Sequence, residues 1–384
     1  MDKQITVIEF TPCNIKLLSG YQMKDRLYVL QSLEGEILPL NPEGYPKKED
    51  LKESLIALLA TARKQLPVDI GPLVFLYPPY GFKAKEISES SPTGNAENKI
   101  RDEDYRSCTI RAMKTKPFPE TDPIYLVPFN FKVDTCPTLS TFPLGKTSSA
   151  LEVDGDVHFL NREAFTHYQG IVSSVSLKPY LQMVSTYSGF EYLTRYESER
   201  NYLILELQNN YTYFSEIKSG RLFSSSVIKE NLSSVLERFS NTLGVSVERG
   251  KELMMTFGFL QKLEFEYVTD EGFALDTIFT ALCKAFMPLL RELATFIADN
   301  GVAENVPVLI TGTGIDIFGL EQYVSYALKR NARISRAKEL GAETGVYNAA
   351  LGAIAVSNLD YQMKRDSFRR TESDDKLKST VFDR

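Results

Sequence analysis

The apolar pattern begins at once. Residues 5 to 10, Ile5-Thr6-Val7-Ile8-Glu9-Phe10, predict a strand, Thr11-Pro12-Cys13-Asn14 a turn, and Ile15 to Leu18 a second strand; a third follows Gly20 near Arg26 to Leu33. Asp50 to Lys64 carries apolar residues at Leu51, Leu55, Ile56, Leu58 and Leu59, the spacing of a helix with one buried face. Pro67 ends it before a strand at Leu73 to Leu76. The same order returns later in the chain. Tyr202 to Leu207, Thr212 to Lys218 and Arg221 to Val227 predict a second three-stranded meander. Helices are expected at about 231 to 243, 247 to 257 and 274 to 299. Val308 to Ile310 predicts a buried strand that stops at Gly312 and Gly314. A helix then opens at Leu320, with Tyr323, Val324, Ala327 and Leu328 on one face, and an Ala/Gly-rich helix closes at Gly345 to Val356. Two hairpin sheets, each followed by helices, imply an internally duplicated α/β protein.

A block of different character interrupts the first half. Pro78 to Asn98 is rich in Pro, Gly, Ser, Glu and Lys and reads as a loop at a domain boundary. Beyond it come a short helix at Arg101 to Met113 and strands at Ile124 to Val127 and Asn130 to Val133. A turn at Phe142-Pro143-Leu144-Gly145 precedes an alternating strand at Ala150 to Phe159, and helix resumes at Glu163 to Val172. The expected division is therefore a first domain from 1–78, 163–199 and 341–360, an inserted small α+β subdomain at 79–162, and a second domain from 200–235 and 300–340. A small lobe at 236–299 belongs to the second domain, and a polar tail occupies 361–384.

Composition narrows the chemistry. With 384 residues the chain is long enough for two or more domains, and 43% hydrophobic with 24% charged residues is ordinary for a folded protein. A net charge of −6 and the lack of a dense Lys/Arg patch argue against a nucleic-acid partner. The four cysteines, Cys13, Cys108, Cys136 and Cys283, lie far apart with no Cys-x-x-Cys pair, which suits reduced thiols in the cytosol. Only His158 and His167 offer imidazoles, so a His-based metal site or triad is not expected and both read as surface or packing residues. The N-terminus moves directly into a strand with no signal-peptide pattern, and no apolar run approaches 20 residues. The strand, glycine turn and helix at 306–320 is how α/β proteins bring backbone N–H groups to a nucleotide. It lacks the spacing of the dinucleotide fingerprint, and a glycine turn after a strand is more often plain topology than a site.

Several stretches resemble one family. Ile100-Arg101-Asp102-Glu103-Asp104, Val127 to Asp134, Pro143-Leu144-Gly145 and Leu151-Glu152-Val153 are similar to the inserted subdomain of FtsA, the bacterial cell-division actin. Thr311-Gly312-Thr313-Gly314 through Phe318-Gly319-Leu320 resembles the adenosine motif of the actin/Hsp70/hexokinase-like ATPases, and Tyr347 to Gly352 their second connecting motif. The likeness runs in order from about residue 5 to 357. It implies duplicated actin-like, ribonuclease-H-like domains, with the inserted subdomain in the first half and ATP with Mg²⁺ between the halves. It further implies a cytoplasmic protein at the inner face of the membrane near the division site. Such a protein self-associates into filaments, binds the FtsZ C-terminal peptide through about 236–299, and touches the membrane surface weakly through its tail. That tail offers Leu377, Val381 and Phe382 with Lys376, Lys378 and Arg384.

The same resemblance places nucleotide-binding positions at Thr11, Asn14, Lys16, Gln208, Asn209, Lys251, Gly312, Thr313 and Gly314, and the acids that would hold metal at Glu9 and Glu206. The phosphate loops depart from the family. Where it has Asp-x-Gly-Thr/Ser this chain reads Glu9-Phe10-Thr11-Pro12, and where it has Asp-x-Gly-Gly, Glu206-Leu207-Gln208-Asn209. Both aspartates have become glutamates, every phosphate-side glycine is gone, and Pro12 has no N–H to donate. Lys251 and Met254 replace the Glu and Lys that the family offers to the nucleoside. These changes predict lost hydrolysis and weak or absent nucleotide binding in a scaffold. PilM, the actin-like protein of type IV pilus assembly, is the second resemblance, and an active actin-like ATPase the third expectation.

Overall fold

The computed structural model describes residues 4–357 apart from 25, 43, 66–69, 135, 196–198, 261–266 and 343–344. The C-terminal tail with Leu377, Val381 and Phe382 lies outside the described residues.

The duplication is written in the sheets. In the first half β1 (Ile5–Phe10), β2 (Ile15–Met23) and β3 (Arg26–Glu34) form a meander, and β4 (Leu73–Tyr77) and β9 (Pro179–Val184) extend it, giving the order β3-β2-β1-β4-β9. In the second half β10 (Tyr202–Leu207), β11 (Thr212–Lys218), β12 (Arg221–Ile228), β13 (Val308–Thr311) and β14 (Ala332–Ile334) repeat it as β12-β11-β10-β13-β14. In both sheets the first hairpin is antiparallel and the later strands join in parallel. All residues of β1 and β10 are buried, which is why these strands read as near-continuous apolar runs rather than alternating ones.

Helices α1 (Lys48–Gln65), α3 (Arg162–Ser174) and α4 (Ser185–Leu193) join the first core, and α5 (Leu232–Leu243), α6 (Val247–Phe257), α7 (Leu275–Asp299) and α8 (Leu320–Leu328) the second. Helix α9 (348–357) returns from the second half to the first, and Ala349, Leu351 and Ile354 are buried there. Its fit is close. The Ser188 hydroxyl donates to the Ala349 carbonyl at 2.6 Å, and a Cβ on Gly352 would stand 1.7 Å from the Ser188 carbonyl oxygen. Among the described residues no helix is long and apolar enough to cross a membrane.

Between β4 and α3 stands a separate sheet, β5 (Lys83–Pro92), β8 (Ala150–Asn161), β6 (Thr121–Val133) and β7 (Cys136–Leu139) in that order, with α2 (Asp102–Ala112) packed against it. Residues 83–92 are thus a strand and not the loop their composition predicts. They form an edge strand that pairs with β8 alone and is largely exposed, so Lys, Glu and Ser are tolerated along it. The two short strands expected at 124–133 are one strand, interrupted by irregular pairing at Pro123 and Pro128, whose missing N–H groups break the ladder. The second half touches this subdomain at Arg221 of β12, which bonds Glu86 at 2.9 Å and lies 4.6 Å over the Phe129 ring.

Gly352→Ala is expected to destabilise the chain by about 2 kcal/mol or more, because backbone of α4 must move to admit a methyl group. Gly170→Ala, where the nearest atom is a flexible lysine tip at 3.8 Å, should instead leave stability level or raise it by about 0.5 kcal/mol. Urea midpoints of the two variants beside the parent chain read both.

Candidate functional site

The two hairpin turns that the duplication makes equivalent, Thr11–Asn14 and Gln208–Tyr211, bring the predicted acids together. Glu9 faces Lys16 across the first ladder, and Glu206 faces Tyr213 across the second. All four side chains are buried. Lys16 Nζ donates to Tyr211 Oη at 2.7 Å and to the Val346 carbonyl at 2.9 Å. Tyr211 Oη in turn donates to Glu206 Oε1 at 3.4 Å, and Gln208 Nε2 donates to the same oxygen at 3.0 Å and to the Gly345 carbonyl at 3.3 Å. Glu9 is different: both of its carboxylate oxygens are buried without a hydrogen-bond partner.

An unpaired buried carboxylate is costly when ionised, and it takes up a proton instead. Burial pushes the Glu9 carboxyl up to about 8, with Glu206 and Glu34 adding to the rise and Lys16 opposing it. Burial also raises Glu206, against the pull of Lys16, Gln208 and Tyr211. The phenols of Tyr211 and Tyr213 are held well above their ordinary value by the same loss of water, and the two carboxyls beside them push further.

A nucleotide with its metal needs open space between the turns, free amide N–H groups and ionised acids. The residues here do not fit that requirement. The Thr11 amide donates to the Asn14 carbonyl at 3.0 Å, the Asn14 amide to Thr11 Oγ1 at 2.9 Å, and the Gln208 amide to the Tyr211 carbonyl at 3.0 Å. The Thr313 amide is taken by Gln208 Oε1 at 3.3 Å, and Thr313 Oγ1 donates to Asn209 Oδ1 at the same distance. Among the described residues no three His, Cys, Asp or Glu side chains are gathered to hold a metal. The glycine turn has a packing role: a Cβ on Gly312, which sits at φ +94°, would stand 2.4 Å from the Leu207 carbonyl, and one on Gly314 2.5 Å from the Leu207 side chain.

Of the sequence-predicted positions, Glu9, Thr11, Asn14, Lys16, Glu206 and Gln208 are buried at the two turns, with Gly312, Thr313 and Gly314 against the second. Asn14 Nδ2 turns away, donating to Glu34 at 2.9 Å. Lys251 is exposed on α6 and takes no part in these bonds, while Met254 is buried in the second core. Sequence reasoning missed Tyr211, Tyr213, Val346 and Asn348, whose amide donates to Thr311 Oγ1 at 2.5 Å. A signal existed for Tyr213, since it stands at the ladder position that the duplication matches to Lys16. His158 and His167 are buried packing residues, with rings against Tyr187 at 5.1 Å and Tyr45 at 4.6 Å. Among the concavities elsewhere, two are lined by aromatic residues. One of about 260 Å³ runs between α2, β6 and the edge strand β9; the other, of about 1010 Å³, is walled by Phe259, Phe279, Phe318, Tyr323 and Tyr326.

The raised Glu9 carboxyl has a signed consequence. The folded chain holds that proton more tightly than the unfolded chain, so the stabilising effect is full below about pH 4.5 and is lost as pH rises toward about 8. Glu9→Gln stays neutral throughout. Between pH 5 and pH 8 the parent chain should lose roughly 3 to 4 kcal/mol relative to this variant. Urea titrations of both proteins at the two pH values measure it, and parallel pH dependences would refute it.

No family model matches the chain, and no curated protein matches it by sequence. Solved structures do. The chain is similar to a chain of the PilM-PilN type IV pilus biogenesis complex, at 15% identity and a TM-score of 0.54, covering 94% of this chain and 99% of that one. It is also similar to MreB 5 of Spiroplasma citri bound to AMPPNP, at 10% identity and a TM-score of 0.50, covering 95% of this chain and 98% of that one. Likeness along nearly the whole length, with two matching five-stranded sheets, identifies the architecture: this chain has the actin-like ATPase fold.

Proposed function

We propose that the chain is an actin-like assembly scaffold that has kept the fold and given up its nucleotide chemistry, so that its work is the docking of protein partners. One observation carries the reading: side chains and turn amides meet one another where a phosphate and its metal would need them. Burial raises the Glu9 carboxyl and leaves it without a hydrogen-bond partner, which disfavours a pair of ionised acids that would place a metal and its water. On this reading ATP and Mg²⁺ do not serve the chain as cofactors.

Two partner classes follow from the likenesses. The whole-length superposition on a protein solved in a pilus biogenesis complex supports a PilM-like role, in which the chain holds a segment of a pilus assembly protein. The groove between α2, β6 and β9 suits that role, because β9 is an edge strand of its sheet and lines the groove with Pro179 to Gln182. The inserted-subdomain stretches, Pro143-Leu144-Gly145 above all, support an FtsA-like role. In that role the 236–299 lobe takes the FtsZ C-terminal peptide, copies self-associate, and the tail touches the membrane near the division site.

Calorimetric titration with ATP–Mg²⁺ and ADP–Mg²⁺ to millimolar concentration is expected to give no heat and no thermal shift. Micromolar binding, or turnover abolished by Glu206→Ala, would restore the active ATPase. Pull-down with an FtsZ C-terminal peptide beside cytoplasmic segments of pilus inner-membrane proteins separates the two partner classes, and retention of neither removes both.

A further inference from the structure

We propose that Lys16 is a built-in bolt of the cleft, whose amine ties the two halves and the segment crossing between them into a closed arrangement with no ligand. The inference deepens the reading of the cleft as one without nucleotide chemistry, and rests on it.

Three separate parts of the chain converge on one nitrogen. Lys16 belongs to β2 of the first half and is only 2% exposed. Its acceptors are Tyr211 Oη, on the turn of the second half, and the carbonyl of Val346, on the segment through which the chain returns to the first half. That segment is held from the second half as well, by Gln208 Nε2 at the Gly345 carbonyl and by Thr311 Oγ1, which accepts from Asn348. A few residues further on it is anchored in the first core through Ser188 and Ala349. The halves therefore cannot part without breaking the bonds of Lys16 or those of residues 345–348.

A side chain waiting for an anion presents its amine to open space. Lys16 instead spends it on two protein acceptors, lies 5.0 Å from the centroid of the Tyr211 ring, and has Glu9 opposite on the neighbouring strand. An arriving phosphate would have to displace both acceptors. The chain beyond the amine continues to Glu206, which also receives Gln208, so the bolt is braced by a side chain from the same turn it holds.

Removing the amine has a directional consequence. In Lys16→Met the length and much of the packing remain, but Tyr211 Oη and the Val346 carbonyl lose their donor, and Glu206 loses a nearby positive charge. Water would satisfy all of these groups, and it enters only if the halves separate. The closed arrangement should then give way to local opening at the two turns.

Hydrogen exchange followed by mass spectrometry on the full chain, without nucleotide, reads this directly. In Lys16→Met, amides of 11–15, 208–212 and 345–348 should exchange roughly 10- to 100-fold faster, with those inside α1 and α7 unchanged. Tyr211→Phe keeps the ring and removes one acceptor, and should show a smaller acceleration of the same three segments. Unchanged exchange there in Lys16→Met overturns the proposal. If that variant loses protection everywhere, Tyr211→Phe decides: local acceleration supports the bolt and parent-like exchange rejects it. Slower exchange of the parent on adding millimolar ATP–Mg²⁺ would overturn the nucleotide-free reading alone, since the bolt is read with no nucleotide present.

Discussion

The constraint on which the interior depends is the burial of two acids and one amine at the meeting point of two equivalent hairpins. The two hairpins carry Glu9 and Glu206 at matching ladder positions, and both side chains are buried. Two carboxylates in low dielectric repel, and each pays for lost hydration. The structure meets this by asymmetry. Glu206 accepts from Gln208 and Tyr211, while Glu9 accepts from no one and takes up a proton. One half of a symmetrical frame thus holds a hydrogen-bonded carboxyl and the other an unpartnered one, and burial raises both.

That asymmetry traces to single residues at matched positions. Lys16 on the first hairpin corresponds to Tyr213 on the second, and Asn14 to Tyr211. Had both hairpins carried lysine the cluster would hold two amines, and had both carried tyrosine the acids would lack an opposing charge. The second turn is filled in the same way by Gln208, whose amide N–H₂ and oxygen both bond to neighbours that a glycine at this position could not reach. Gly312 and Gly314 are needed for this filled state too, because they let the end of β13 close onto Leu207.

Much of the frame is legible in sequence because buried central strands and one-faced helices leave strong apolar patterns. The two meanders, α1, α7 and the strand before Gly312 all follow from residue order. Strand β5 escapes because an edge strand has one ladder partner and much exposed surface, so hydropathy does not mark it. Helix α4 escapes for the opposite reason: Ser185, Thr186, Ser188 and Gly189 are buried on every side, so there is no polar face to set a period. At the site, the loss of phosphate-side glycines is visible in Glu9 to Pro12 and Glu206 to Asn209. What Lys16 contacts is not, since Tyr211 and Val346 meet it from nearly two hundred and more than three hundred residues away.

The replacement also bears on how such a frame can still act. A cleft closed by its own side chains gives up a ligand-driven change of shape, because a ligand shifts an equilibrium only by its differential affinity for the two states. Surfaces away from the cleft are then presented in one fixed relation. The groove beside β9 and the aromatic concavity around Tyr323 lie on different halves, and the Arg221 contacts with Glu86 and Phe129 fix the inserted subdomain to β12. If the bolt holds them so, a carrier of two such surfaces loses little conformational entropy on engaging a partner, in keeping with the proposed docking role. On the proposed reading the glutamates at the cleft serve cohesion, and their burial is what raises the Glu9 carboxyl in the folded state.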